Sequence, residues 1–183
     1  MVGLESAHAP AGGGGGTPVA YGTVAARSPL TPYQTNAAAA NALQAELAQL
    51  LASRPAGAYV VASAGPNRIQ LTLQEPLLFT DGFTIGPDGQ ALVRDLAATL
   101  RRHPGAELTI VGHDDGANPN PLRAYENSTD RAINLAQQLI NYGANPARIT
   151  AGGRGYHDPV GANVSPADQL ANRRTDLFFF LPQ

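Results

Sequence analysis

Hydrophobic and polar positions first fall into order at Asn36. Behind the alanine run 37–40, leucines at 43, 47, 50 and 51 recur at three- and four-residue spacing. With Asn36 as a cap and Pro55 and Gly57 as stops, this predicts a helix over 37–53. Tyr59-Val60-Val61 and Ile69-Gln70-Leu71-Thr72-Leu73 then flank Ala64-Gly65-Pro66-Asn67, and the second run alternates strictly. A hairpin over 58–73 with a half-buried strand is expected. Leu77-Leu78-Phe79, ended by Asp81-Gly82, reads as a short strand. Pro87 and Asp88 open a helix whose stripe is Leu92, Val93, Leu96, Ala97 and Leu100, with Arg101, Arg102 and His103 at its C-terminal end. Residues 107–111 alternate as a strand. Asn120-Pro121 starts a second long helix with the stripe Leu122, Tyr125, Thr129, Ala132, Ile133, Ala136 and Ile140. A strand over 148–151, a short helix over 166–172 and a strand over 175–181 complete the series. The run Leu177 to Leu181 lacks alternation, so both of its faces are expected to be covered. The sum is an α/β (α+β) two-layer sandwich with a mixed sheet.

The first 36 residues carry no such order. They hold seven glycines, five of them consecutive, and four prolines, with Glu5 and Arg27 as the only charges. Such a segment cannot bury enough surface to offset its ordering entropy, and it reads as a disordered linker. It has no apolar core of a signal peptide and no stretch of about 20 apolar residues. An anchor outside this chain, making the full-length protein membrane-attached, is one expectation; a cytosolic protein with an unusual tail is the other. The organisation expected is therefore 1–36 linker, 37–74 helix-plus-hairpin extension and 75–183 main domain.

Composition narrows the chemistry. Lys+Arg is 12 against Asp+Glu 14, for a net charge of −2, and every one of the 12 cations is Arg. Without a basic excess, a nucleic-acid partner is not expected. Without cysteine, disulfides and thiolate metal sites are excluded. The chain has no Gly-x-Ser-x-Gly, no phosphate-binding Walker loop and no His-Glu-x-x-His, so no catalytic residue, cofactor or metal is assigned.

Two clusters carry the remaining chemistry. His113-Asp114-Asp115 stands where a strand gives way to a loop, a usual place for functional side chains. It is either a capped loop with solvated carboxylates or part of a site; a metal would need further ligands, with His157-Asp158 the only other candidate. On the second long helix, Ala124, Ser128 and Arg131 share a face offset from the apolar stripe. Arg131 is either a surface charge paired with Glu126 or Asp130, or it faces the loop at Asp115. In the second case an Arg and a carboxylate sharing a pocket would form a two-point grip on a zwitterion.

Several motifs in order resemble the OmpA-like (OmpA/MotB C-terminal) peptidoglycan-binding domain. They are Leu78-Phe79-Thr80-Asp81-Gly82 with Gly86-Pro87 and Gly89; Gly112-His113-Asp114-Asp115; Ser128-x-x-Arg131-Ala132; Ile149-Thr150 through Gly153-x-Gly155; and Asn172-Arg173-Arg174. The resemblance spans about Leu77 to Leu181. It implies a βαβαβ(α)β sandwich, here preceded by the extra helix and hairpin. It also implies a non-enzymatic role: binding the diaminopimelate of peptidoglycan stem peptides and so anchoring an envelope protein or complex in the periplasm of a Gram-negative bacterium.

By position, the resemblance makes Asp115 the ammonium ligand and Arg131 the carboxylate ligand, with His113, Asp114, Ser128, Asn172 and Arg173 around them. Asn172 and Arg173 are equally open to a structural role. Envelope or secretion-system proteins are the further partners implied. The chain departs from the family pattern at Asp114, where the family has Thr, and at Ala124 and Asn127, where it has Asn and Leu. The interval from Asp115 to Arg131 is also rebuilt around Pro119 and Pro121. Those departures motivate an alternative: a fold that has lost wall binding and serves as a protein–protein interaction or dimerisation module.

Overall fold

The computed structural model describes residues 37–181; the linker expected over 1–36 lies outside them. Its elements are α1 (Ala37–Leu51), β1 (Tyr59–Gly65), β2 (Arg68–Gln74), α2 (Glu75–Leu78), α3 (Pro87–Arg102), β3 (Glu107–Gly112), α4 (Pro121–Asn141), β4 (Ile149–Gly153), α5 (Pro166–Asn172) and β5 (Arg174–Phe180). The five strands form one sheet in the order β1-β2-β5-β3-β4, parallel only between β3 and β4. α1 packs on β1 and β2, α4 on β3 and β4, and α3 touches both helices. This is the expected two-layer α+β sandwich with a mixed sheet.

Alternation along the strands builds the core. Across the sheet, Ile69, Phe179 and Leu108 stand side by side, and Leu71, Leu177 and Ile110 form the next row. All six are buried, together with Leu43, Leu47 and Leu51 of α1 and Leu92 and Leu96 of α3. Caps work as the residue types dictate. Asn120 accepts hydrogen bonds from the amides of Leu122 and Arg123, and Ser165 with Asp168 forms a capping box.

Three expectations need correction. Leu77-Leu78-Phe79 is not a strand: Glu75 and Pro76 start the short helix α2, and the Phe79 amide bonds Glu75 O at 2.9 Å. A proline in the first helical turn costs no hydrogen bond, whereas it would interrupt a strand ladder. The hairpin expected over 58–73 supplies two of the five strands of the sheet, β1 and β2.

The buried face of α4 is also displaced from the expected stripe. It consists of Ala124, Ser128, Arg131, Ala132, Leu135, Ala136 and Leu139, while Leu122, Tyr125, Ile133 and Ile140 are exposed. Finally, β5 is not covered by a layer on both faces. Its outer face carries Phe178, over which the Arg68 guanidinium lies at 4.3 Å, and a partly exposed Phe180.

Candidate functional site

The displaced face of α4 has a steric origin. Gly112 and Gly153 are neighbours at the C-terminal ends of β3 and β4, and α4 sits directly on them. A Cβ on Gly112 would stand 1.9 Å from Ser128 O, and one on Gly153 would stand 2.3 Å from Ser128 Oγ. Only glycines allow so close an approach. Ser128 is fully buried there; its hydroxyl accepts from the Gly155 amide at 2.9 Å and donates to Tyr125 O at 2.9 Å. One turn on, Arg131 is carried under the loop that leaves β3.

At that strand end His113, Asp114 and Asp115 are all buried. Each aspartate folds back on its own loop, Asp114 Oδ1 accepting from the Gly116 amide at 3.0 Å and Asp115 Oδ1 from the Ala117 amide at 2.9 Å. Their outer oxygens each meet a guanidinium. Arg131 Nη2 donates to Asp114 Oδ2 at 3.2 Å and to His113 O at 2.8 Å, while Arg173 Nη1 donates to Asp115 Oδ2 at 2.6 Å. A third carboxylate lies between the two cations: Glu75 Oε2 is 3.5 Å from Arg131 Nη1 and 3.5 Å from Arg173 Nε.

A second buried group adjoins this one. Asp176 Oδ2 lies 3.0 Å from His113 Nε2, without straight hydrogen-bond geometry, and accepts from Arg174 Nε at 3.2 Å; its Oδ1 accepts from Thr72 Oγ1 at 2.6 Å. Burial works against the charge on Asp176. The contacts from His113 and Thr72 and the charge of Arg174 outweigh it and hold the pKa below the usual carboxylate range.

Between the β3–α4 loop and the segment after β4 lies a cavity of about 390 Å³. Asp114 and Asp115 form one wall, and Tyr156, Pro159, Asn163 and Asn172 contribute to the others. Asn172 fixes the far wall. Its Oδ1 accepts from the amides of Val160 and Gly161, and its Nδ2 donates to Gly161 O and Asn163 Oδ1. Asn163 takes a positive φ of 61° at the rim, a conformation asparagine tolerates better than most residues. Another cavity, about 370 Å³, opens at the other end of β3 and β4 beside Pro104, Ala144 and Ile149, away from the ionisable cluster.

All seven residues singled out in the sequence therefore lie in one region, but only Asp114, Asp115 and Asn172 line its cavity. Arg131, with its side chain 5% exposed, is neither a surface charge nor paired with Glu126 or Asp130. Nor does it share an open pocket with Asp115: it holds Asp114, the carboxylate that forms the wall. Arg173 is the guanidinium at Asp115. Asp158, considered as a metal ligand, is instead paired with Arg154 at 2.8 Å.

Glu75 and Asp176 were not apparent from the sequence. The antiparallel register that sets Gln74 opposite Arg174 brings Glu75 to Arg173, and the Glu75 amide bonds Arg173 O at 2.9 Å. A carboxylate one residue beyond a strand, across from an Arg pair, was the available signal.

Among known proteins, the model of the OmpA family matches residues 79–173, just over half of the chain. Outer membrane porin F of Pseudomonas fluorescens is 33% identical over 98 residues, covering 52% of this chain and 29% of the porin. The matched stretch spans half or less of the length of the curated relatives, from 29% to 50%. The cell wall anchor of the T6SS from Pseudomonas aeruginosa superposes with a TM-score of 0.65 at 28% identity, over 74% of this chain and 97% of that one. A MotB-like protein from Desulfovibrio vulgaris shares the fold, with a TM-score of 0.69 at 22% identity over 80% of this chain and 94% of that one. By its sequence and its architecture, the chain belongs to the OmpA family.

Proposed function

We propose that this domain binds peptidoglycan non-covalently through the diaminopimelate region of the stem peptide and anchors an envelope protein or complex to the cell wall, on the periplasmic side of a Gram-negative envelope. It acts by binding and not by catalysis. The observation that carries this reading is the cavity walled by Asp114 and Asp115. It lies at the C-terminal end of β3, with the family motif residues gathered around it. The similarity to a chain described as a cell wall anchor supports it. Asp115 is the ammonium ligand in this reading. Both aspartates retain unused lone pairs, since each accepts only two hydrogen bonds and an ionised carboxylate can accept about four. A small ligand in so shallow a site binds modestly, and the repeating wall supplies avidity.

The alternative of an interaction module is favoured by one observation. α4 exposes Leu122, Tyr125, Ile133 and Ile140, at 62%, 52%, 46% and 37%. Co-sedimentation with diaminopimelate-type sacculi separates the readings. The wild type is expected to pellet and Asp115→Ala to stay in the supernatant. A wild type that stays in the supernatant leaves the interaction module as the reading.

A further inference from the structure

The ion pairs around the cavity have a consequence for what it accepts. Both guanidiniums in the cluster are committed to internal carboxylates: Arg131 to Asp114 and Glu75, and Arg173 to Asp115 and Glu75. Three carboxylates face two cations, which leaves one negative charge in excess. The residues lining the cavity include two carboxylates and no cation. An incoming ammonium meets Asp114 and Asp115 directly and cancels the excess. An incoming carboxylate meets the same two aspartates, and it reaches Arg131 only by displacing Asp114, whose position is also fixed by the Gly116 amide. Arg131 is in turn pinned by His113 O at 2.8 Å, so it cannot swing outward without giving up a buried bond. Like charges brought together in a partly dehydrated site disfavour association strongly.

We infer that the Asp114 carboxylate occupies the guanidinium of Arg131 as an internal substitute for a ligand carboxylate. The cavity therefore selects a primary ammonium whose neighbouring carboxyl is amidated or absent, over the free zwitterion. Asp114 is the specificity-determining residue. This rests on the wall-binding reading above and refines its ligand class.

The test titrates the whole chain calorimetrically with three soluble stem peptides that differ only at the third residue: diaminopimelate as free acid, diaminopimelate amidated at its side-chain carboxyl, and lysine. The amidated and lysine stems are expected to bind about tenfold more tightly than the free acid. Asp114→Asn keeps a side-chain oxygen for the Gly116 amide while removing the charge that holds Arg131, and it should bring the free acid level with the amide or ahead of it. Asp114→Thr serves as a second variant should the asparagine disturb the loop, with melting curves confirming that each is folded. A wild type that binds the free acid best, or an order of preference unchanged in both folded variants, overturns this inference and leaves wall binding standing. A wild type that binds no stem and does not pellet with sacculi overturns the functional reading and this inference with it.

Discussion

Gly112 and Ser128 touch so closely that a Cβ on the glycine would lie 1.9 Å from Ser128 O. That contact sets the height of α4 above the sheet and, one turn later, the position of Arg131. Gly112→Ala is expected to destabilise the domain by about 2–3 kcal/mol, the scale of overpacking in a closed interface. Gly152→Ala is the control, because a Cβ there meets nothing within 4 Å. Denaturant midpoints of the two variants make the comparison. Equal midpoints would mean that α4 lifts away freely.

Arg131 sits between two internal carboxylates with its side chain 5% exposed. Removing one partner of a buried ion pair leaves the other uncompensated, so Arg131→Met should cost about 3–5 kcal/mol. Combining it with Asp114→Asn should recover a substantial part of that loss. A double-mutant cycle by chemical denaturation measures the recovery; strictly additive losses would show that the two residues do not interact.

Asp176 and Glu46 both have folded-state pKa values below the ordinary range. At Glu46, burial again opposes the charge and is outweighed by hydrogen bonds from Arg102, His103 and Thr99. A carboxylate with a depressed folded pKa contributes stability that is present above its unfolded pKa, about 4, and is lost as pH falls through the folded value. Melting temperature should therefore fall steeply below about pH 4. Asp176→Asn, already lower at pH 7, should show a shallower fall. Parallel pH profiles for the two proteins would count against this role for Asp176.

Asn172 makes four hydrogen bonds to the segment 160–163. Asn172→Ala leaves the amides of Val160 and Gly161 without their acceptor. A loss of about 1–3 kcal/mol is expected, with faster amide exchange confined to this wall of the cavity. Exchange that rises throughout the sheet instead would point to a global role for Asn172.

Where sequence and structure agree, the periodicity was simple and the stop signals strong. α3 shows this: Pro87 opens it, and Leu92, Val93, Leu96 and Ala97 are buried as their spacing requires. α4 shows the opposite case. In its first half Leu122 and Tyr125 face outward and the inward positions are Ala124, Ser128 and Arg131, with Leu135 and Leu139 buried only further along, because two glycines beneath that half leave room only for small side chains and one buried cation finds carboxylates there. Hydropathy favours large residues and cannot register that reversal. The strand expected at 77–79 failed for a local reason, the proline at the start of α2. The seven motif residues were legible as one region. Who pairs with whom was not, since the partners Glu75 and Asp176 come from the β2 end and from β5.

The place of β2 in the sheet gives residues 68–74 an importance that their sequence conceals. They lie between β1 and β5 as an inner strand of the sheet, paired along both edges. The stretch that the family model matches, 79–173, contains β3 and β4 but neither β2 nor β5. A fragment cut to that stretch would lack the strand carrying Leu177 and Phe179, and one restored only at its C-terminus would present the β2-facing side of Arg174–Phe180 as an open, sticky edge. The reach of the family match and the reach of the sheet thus have different boundaries in this chain, and the second begins well before the first.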